Sequence, residues 1–149
     1  MKYFFTILFS FIGMNGFAQI NWNEFQERHK ENPKMMMVYF YTDWCSVCKI
    51  QDKQIEKSPT INNFLDNDVY YIKLNAEDET PIQLNGKTFT SSSLITYYLG
   101  FSRVDFPLWI ILDEHYQLMD YYTGLISVKQ FRLLIDKILS SKKYPLTTK

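Results

Sequence analysis

The sequence predicts an α/β domain in which helices flank a central mixed β-sheet. Residues 35–41 form a run of seven apolar residues, with the length and aromatic content of a strand buried on both faces. Strand-like and helix-like segments then alternate along the chain, which is typical of α/β architecture. Two further strand-like runs and a final amphipathic helix complete the pattern.

The composition is that of one folded domain. The chain has 149 residues, and 17% of them are aromatic, which provides ample material for a core. Its 16 basic and 16 acidic side chains balance, and it has no long run of Lys or Arg, so we expect no nucleic-acid partner. Two cysteines are too few for a multiply cross-linked mini-protein.

Residues 1–18 have the pattern of a secretory signal peptide. A basic residue is followed by the apolar stretch 3–12 and then by small residues up to Ala18. This stretch is about half as long as the roughly 20 residues that span a bilayer. We therefore expect cleavage after Ala18 and export of residues 19–149, without a membrane span, to a periplasmic or other extracytoplasmic space. The alternatives are an uncleaved membrane anchor and a buried helix.

A short helix is predicted before the first strand. Asn21 or Asn23 is a suitable N-cap, and the helix should end near Pro33, because a residue that precedes proline resists the helical conformation. We expect His29, in this helix, and His115, in a later turn, to lie on the solvated surface.

Two helices and a second strand follow the apolar run. Residues 45–57 lack Gly and Pro and favour a helix that begins directly after the first strand. A second helix restarts at Ser58, with serine as N-cap and Pro59 at the first helical position. Residues 69–74 alternate as a strand.

A polar segment, residues 75–93, is predicted to be an insertion on the domain surface. It contains Asn85-Gly86 between two short strand-like segments, which is a hairpin signal. Residues 94–99 then form a short helix that Gly100 ends.

The last third of the chain is predicted to form a β-hairpin and a helix. Residues 107–112 and 118–122 are strand-like and are joined by a turn at residues 113–116. Ser127 and Gln130 have the spacing of a capping box at the start of the final helix.

The chemistry is concentrated in Cys45-Ser46-Val47-Cys48, where a buried strand gives way to a helix. The unpaired N–H groups and the positive dipole end of a helix N-terminus favour a thiolate. We therefore expect Cys45 to be the nucleophile. Cys48, one turn further along, would then attack a mixed disulfide on Cys45 and release the bound partner.

With this motif in place, the chain resembles the thioredoxin superfamily over nearly all of residues 20–140. The resemblance is carried by residues 38–49, by residues 72–75 and by Phe106-Pro107. It is greatest to exported domains of the thiol:disulfide interchange type. It implies a thioredoxin-like fold, with the hairpin insertion before the third main helix.

The resemblance also implies the roles of several residues. Trp44 would pack beside the active site, and Pro107 would be cis and face the cysteines. The backbone of Phe106 would bind an incoming peptide as an added strand. Protein thiols and disulfides would be the substrates, an upstream thiol-disulfide donor would supply electrons, and no cofactor would be bound. The alternatives are packing alone for Trp44 and an ordinary trans bond for Pro107.

Tyr39 and Lys73 mark a departure from the family pattern. Tyr39 stands where members often have a buried Asp that accepts the proton of the second cysteine, and a phenol with a pKa of about 10 is a poor base. Lys73 stands where the lysine partner of that Asp would be. Together with Asp43 and Lys49, which lie near the motif, these residues are candidate modulators.

Two further departures from the family pattern concern the reduction potential and the substrate specificity. The dipeptide Ser46-Val47 lacks the His of strongly oxidising relatives. This favours a reductant, or a thiol-disulfide couple of intermediate reduction potential, over a strong oxidant. Phe106 is bulkier than the usual Thr, Val or Ile, which predicts a narrower or reshaped peptide groove.

Other interpretations of the cysteine pair are a static disulfide and a metal site. Zinc requires four ligands, and the chain has only His29 and His115 besides the cysteines. Met35, Met36 and Met37 cannot all converge on Cu(I), because neighbouring strand residues face opposite ways. We expect no metal. The alternative function is a non-catalytic thioredoxin-fold module that binds a peptide or Cu(I).

Overall fold

A computed structural model describes residues 22–143, with side chains through residue 140. The expected signal peptide, residues 1–18, and the candidate cap Asn21 lie outside the described residues. The elements in chain order are α1 (Trp22–Glu31), β1 (Met36–Tyr41), α2 (Ser46–Glu56), α3 (Pro59–Asn67), β2 (Tyr70–Asn75), β3 (Ile82–Leu84), β4 (Lys87–Phe89), α4 (Ser91–Leu99), β5 (Leu108–Leu112), β6 (Leu118–Thr123) and α5 (Val128–Lys143).

The predicted mixed sheet is confirmed. Its strand order is β2-β1-β5-β6, so the apolar run of β1 lies in the middle. β1 pairs with β2 in parallel, with Val38 opposite Ile72, and with β5 in antiparallel fashion, with Val38 opposite Ile110. β5 and β6 form the predicted antiparallel hairpin. β1 therefore has hydrogen-bonded neighbours on both edges.

Each face of the sheet has its own core. Val38 and Phe40 of β1 point into a cluster that α1 and α4 cover, whereas Met37 and Tyr39 point into a cluster that α2, α3 and α5 cover. Alternate residues of a strand face opposite sides of the sheet. Because both sides are covered by helices, the strand is apolar throughout, as the sequence predicts.

The expectation that His29 lies on the surface is wrong. Its side chain is 4% exposed and packs against Phe25, Tyr70 and Tyr116. Phe25 precedes His29 by one helical turn on the inner face of α1, and the two tyrosines come from β2 and the β5–β6 turn. His115 is exposed, as expected.

The helix caps agree with the sequence in part. Asn23 lies inside α1, so it is not the N-cap. Ser58 occupies the N-cap position of α3, with Pro59 next to it, but its buried side-chain oxygen makes no capping hydrogen bond. The capping box of α5 is present, because Ser127 and Gln130 exchange hydrogen bonds between side chain and backbone.

The insertion forms the predicted hairpin. β3 and β4 pair around a turn at Asn85 and Gly86, whose φ angles of 50° and 73° fit the turn that this dipeptide favours. The following helix, α4, begins at a Thr90 capping box and ends at Gly100, which is left-handed with φ 75°.

Within residues 22–143, no helix is long and apolar enough to cross a membrane.

Candidate redox site

Cys45 and Cys48 form a disulfide at the N-terminus of α2. β1 ends at Tyr41, and the backbone N–H of Cys45 donates to the Thr42 carbonyl at 3.2 Å, which turns the chain into the helix. Cys45 is the N-cap residue, and its Sγ accepts the Cys48 N–H at 3.1 Å. A helix N-terminus with an N–H group aimed at the sulfur stabilises a thiolate there.

The two cysteines differ slightly in exposure. The exposed fraction is 5% for Cys45 and 2% for Cys48. Their Cα atoms lie 5.3 Å apart, within the ordinary range for a disulfide. Both sulfurs are buried and lie within bonding distance of each other, with Cys48 one helical turn further along α2 than Cys45.

Trp44 forms one wall of the site. Its side chain is 68% exposed, yet its indole Nε1 donates to the Glu77 carboxylate at 2.9 Å. Its ring also meets the Phe106 ring edge-on, with centroids 6.2 Å apart. The residue before the motif thus connects the insertion and the entry to β5.

Phe106 and Pro107 lie at that entry. Their peptide bond is cis, and the Pro107 carbonyl accepts the Gly124 N–H at 2.8 Å. Pro107 is buried, whereas Phe106 is half-buried and touches Trp44. Through its contact with Trp44, Phe106 lies beside the cysteine motif.

Aromatic and charged side chains pack behind the disulfide, and this wall consists of Tyr39, Tyr41, Asp52 and Lys73. The Tyr39 hydroxyl donates to the Cys48 carbonyl at 3.2 Å, so this phenol supports the helix rather than a sulfur. Burial, aided by the charge of Asp52, raises the pKa of Tyr39 well above its ordinary value. Tyr39 is therefore a neutral hydrogen-bond donor.

Lys73 belongs to this wall as well. Its Nζ lies 2.8 Å from Asp52 Oδ2 and 4.7 Å from the centre of the Tyr41 ring. The side chains of Lys73 and Asp52 are 22% and 29% exposed. Lys73 thus has a carboxylate partner, but from helix α2 rather than from β1.

The other two candidate modulators lie on the exposed surface beside the cysteine motif. Asp43 and Lys49 are both exposed, on either side of the motif. The charge of Asp43 adds to the effect of burial in raising the pKa of Tyr41. The structure brings Tyr39 and Lys73 together behind the cysteines and leaves Asp43 and Lys49 facing solvent.

Three residues near the site escaped prediction from the sequence. Asp52 follows Cys48 by four residues and shares its helix face, a spacing that was available as a signal. Gln51 is fully buried, and its Oε1 accepts the Ile126 N–H at 2.8 Å. Glu77 belongs to the insertion, and its pairing with Trp44 has no local signal in the sequence.

Within the described part of the chain, no group of three or more His, Cys, Asp or Glu side chains is arranged to hold a metal ion. The two sulfurs are bonded to each other.

Comparison with known proteins gives a family and a fold. A family model described as thioredoxin-like matches residues 18–113. No curated protein sequence matches the chain.

Solved structures resemble this one at low identity. A thioredoxin-fold protein from Helicobacter pylori has a TM-score of 0.65 and 17% identity, over 79% of this chain and 76% of that one. A thioredoxin from Thermus thermophilus has a TM-score of 0.60 and 14% identity, over 80% and 85%. A disulphide isomerase from Xylella fastidiosa Temecula1 has a TM-score of 0.57 and 13% identity, over 79% and 90%. At these identities the likeness concerns the fold.

Proposed function

The chain belongs to the thioredoxin-like family, and from that premise we propose that it is an exported thiol-disulfide oxidoreductase acting on protein substrates. The observation that carries the proposal is the Cys45–Cys48 disulfide at the N-terminus of α2. Family membership and this bond support a thiol-disulfide oxidoreductase in general. The reaction, the substrates and the compartment are the finer parts of the proposal.

The reaction runs through two exchanges. The Cys45 thiolate attacks one sulfur of a substrate disulfide, so that a bond forms between Cys45 and the substrate and the other substrate sulfur leaves as a thiolate. The Cys48 thiolate then attacks Cys45, forms the internal disulfide and releases the second substrate thiolate. The substrate gains two electrons and the cysteine pair loses two, without a bound cofactor. An upstream dithiol then reduces the pair again.

Substrate would enter along Trp44 and Phe106. Trp44 is exposed beside the disulfide, and Phe106 meets it at the entry to β5. The Phe106 backbone would pair with an extended peptide as an added strand, which leaves the side chains of the peptide to contact the aromatic rings.

We assign the protein to the reducing or intermediate part of the potential range. The Ser46-Val47 dipeptide has no imidazole, so stabilisation of a Cys45 thiolate comes from the helix N-terminus and the Cys48 N–H. A difference of about 30 mV corresponds to about 1.4 kcal/mol in a two-electron couple. Equilibration with glutathione mixtures would fix the potential directly.

Export is proposed from the pattern of residues 1–18. Expression of the full chain in a bacterium, followed by fractionation and mass measurement, should give a processed protein in the exported fraction that starts after Ala18. A full-length protein in the cell interior would contradict the proposed export but not the proposed redox function.

Insulin reduction tests the function. The wild-type protein with a dithiol donor should precipitate reduced insulin, and Cys45→Ala should abolish the activity. Cys48→Ala should instead accumulate mixed disulfides that gels run without reductant reveal. Unchanged activity in Cys45→Ala would reject the proposal.

A further inference from the structure

We propose that a groove between α2, α5 and the start of α3 binds a phosphate group that is attached to an apolar molecule. The groove has a volume of about 360 Å³ and extends from Ile50, two residues after the redox motif, to Val128 and Arg132 of α5. The site takes no part in the exchange between the cysteines. The proposal therefore does not depend on the proposed redox function.

Three cationic side chains line the groove. Lys53 and Lys57 are one helical turn apart on α2, and Arg132 comes from α5. All three are exposed, and among the described residues none of them forms an ion pair. Within residues 22–140, no Asp or Glu lines the groove. The uncompensated positive charge attracts an anion.

Helix α3 begins at this groove. Its N-cap residue Ser58 and its first helical residue Pro59 both line the groove. Proline has no N–H, and the Ser58 side chain makes no capping hydrogen bond, so Ser58 leaves the N–H groups of Thr60 and Ile61 uncapped. The free N–H groups and the positive dipole end of this nine-residue helix favour the oxygens of an anion.

Ser58 provides a buried hydroxyl at the same place. Its side chain is 5% exposed, and its Oγ has no hydrogen-bond partner in the described part of the chain. Burial of a hydroxyl without a partner is unfavourable. Because Ser58 lines the groove at the helix N-terminus, a ligand oxygen there would accept its hydrogen bond.

The C-terminal end of α2 is close to the same groove, but its carbonyls are engaged. The Ile55 carbonyl accepts the Ser58 N–H at 2.9 Å, and the Glu56 carbonyl accepts the side-chain N–H of Asn62 at 3.2 Å. These bonds reduce the repulsion that free carbonyls would exert on an anion. The start of α3 therefore determines the sign of the local dipole field.

The remaining walls of the groove favour an apolar group beside the phosphate. Ile50, Pro59 and Val128 line it, and the Ile50 side chain is 49% exposed. A bare phosphate ion would fill only a small part of about 360 Å³ and would leave these apolar walls in water. An attached apolar group would cover them, which is favourable.

The set of donors suits a phosphate better than a carboxylate. A phosphate monoester carries about −1.5 to −2 charges at pH 7 and has three acceptor oxygens. The planar guanidinium of Arg132 can bind two of these oxygens, while the lysine ammoniums and the N–H groups of α3 bind from other directions. A carboxylate would leave part of this positive charge uncompensated.

Titration of the ¹⁵N-labelled protein with phenyl phosphate tests the site through the amide signals of Thr60 and Ile61. We expect both signals to shift saturably, with a Kd of about 1 mM or below at about pH 7.5. Inorganic phosphate should bind more weakly, because it lacks the apolar group. The absence of saturable shifts would overturn the proposal, and equal affinity for inorganic phosphate would overturn the role of the apolar walls.

Charge variants test whether the named cations form the site. Arg132→Gln and Lys57→Gln should each weaken phenyl phosphate binding by about fivefold or more. Lys87→Gln removes the same charge from β4, outside the groove, and should keep the wild-type Kd. Equal weakening in Lys87→Gln and Arg132→Gln would indicate non-specific attraction and would overturn the proposal.

Ser58→Ala separates binding from stability. Because the hydroxyl has no partner to lose, the urea midpoint should stay at the wild-type value, whereas phenyl phosphate binding should weaken by about threefold. An unchanged Kd in this variant would overturn the role of the hydroxyl.

Vesicles distinguish the two sources of such a phosphate, a lipid headgroup and a soluble ester. Sedimentation of the wild-type protein, but not of Arg132→Gln, with phosphatidylglycerol vesicles would assign the site to a lipid headgroup. Phenyl phosphate binding without sedimentation would assign it to a soluble ester, and both results support the phosphate site. None of these measurements uses disulfide exchange, so a failure of insulin reduction would reject the redox function alone.

Discussion

The indole N–H of Trp44 donates to the Glu77 carboxylate at 2.9 Å, so the residue before the first cysteine is tied to the segment that follows β2. Glu77 is itself fixed, because its backbone N–H donates to the Asn75 side chain at 3.0 Å. An exposed tryptophan is thereby held in one orientation beside the disulfide. Through this hydrogen bond the insertion contributes to the proposed substrate surface.

Glu77→Ala should weaken substrate binding. Without its acceptor, the Trp44 ring is free to rotate, and ordering it again on binding costs free energy. We expect KM for reduction of a peptide disulfide to rise about threefold, with kcat little changed.

Glu77→Gln separates hydrogen bonding from charge, because its side-chain oxygen still accepts the indole N–H. It should keep KM near the wild-type value. Glu79→Ala, an exposed carboxylate of the same segment, is the matched control. If Glu77→Ala and Glu79→Ala have the same KM, the Trp44–Glu77 bond has no role in binding.

Phe106→Val should broaden the range of substrates. The edge-on contact of Phe106 with Trp44 would close one side of the proposed peptide groove, and a smaller side chain would open it. We expect kcat/KM to rise for protein disulfides with bulky flanking residues and to stay constant for a small aryl disulfide. Phe101→Val, at an exposed aromatic residue before β5, is the control. Equal changes for large and small substrates would contradict a steric role.

Gln51→Met should destabilise the fold. The buried Oε1 of Gln51 accepts the Ile126 N–H at 2.8 Å and so connects α2 to the segment before α5. Methionine of similar size leaves that N–H buried without a partner, which costs about 1–3 kcal/mol. Urea unfolding would measure the loss. Gln54→Met, which removes a buried oxygen that has no hydrogen-bond partner, should cost less, and an equal cost would count against the role of Gln51.

The fold was predictable because its main signals are local. The apolar run of β1 requires cover on both faces, the Asn85-Gly86 dipeptide favours a tight hairpin turn, and Ser127 with Gln130 marks the start of α5. The cysteine motif is likewise local: it lies within one helical turn, and its position at a helix start follows from the strand before it.

The contacts that complete the site join distant parts of the chain. The bond from Trp44 to Glu77 spans 33 residues, and the pair of Asp52 with Lys73 spans 21. Asp52 lies one helical turn after Cys48, but no local signal in the sequence pairs it with Lys73, and none pairs Trp44 with Glu77. The burial of His29 has the same origin, since the tyrosines that enclose it come from β2 and the β5–β6 turn.

We expect the buried His29 to make the free energy of unfolding decrease at acid pH. Burial lowers the pKa of His29 below its ordinary value, and this effect exceeds the opposing ones of the Lys34 carbonyl and the Glu114 carboxylate. The Tyr116 hydroxyl lies 3.0 Å from Nδ1, where a neutral ring can accept a hydrogen bond from it. The folded protein therefore favours the neutral imidazole, and the unfolded chain binds the proton more readily.

The sign of the effect follows from this difference. The stabilisation is complete above the ordinary histidine pKa of about 6.5 and is lost as the pH falls through the lowered pKa of the folded state. The free energy of unfolding of the wild type, measured with urea at a series of pH values, should therefore decrease below about pH 6.5. His29→Gln should be less stable at neutral pH but lose less on acidification, because glutamine does not titrate. In His115→Gln, at the exposed histidine, the acid-side decrease should persist and become slightly smaller, because the charge of His115 also helps to lower the pKa of His29. If the decrease in stability at acid pH persisted in His29→Gln and disappeared in His115→Gln, it would come from His115, and the prediction for His29 would be wrong.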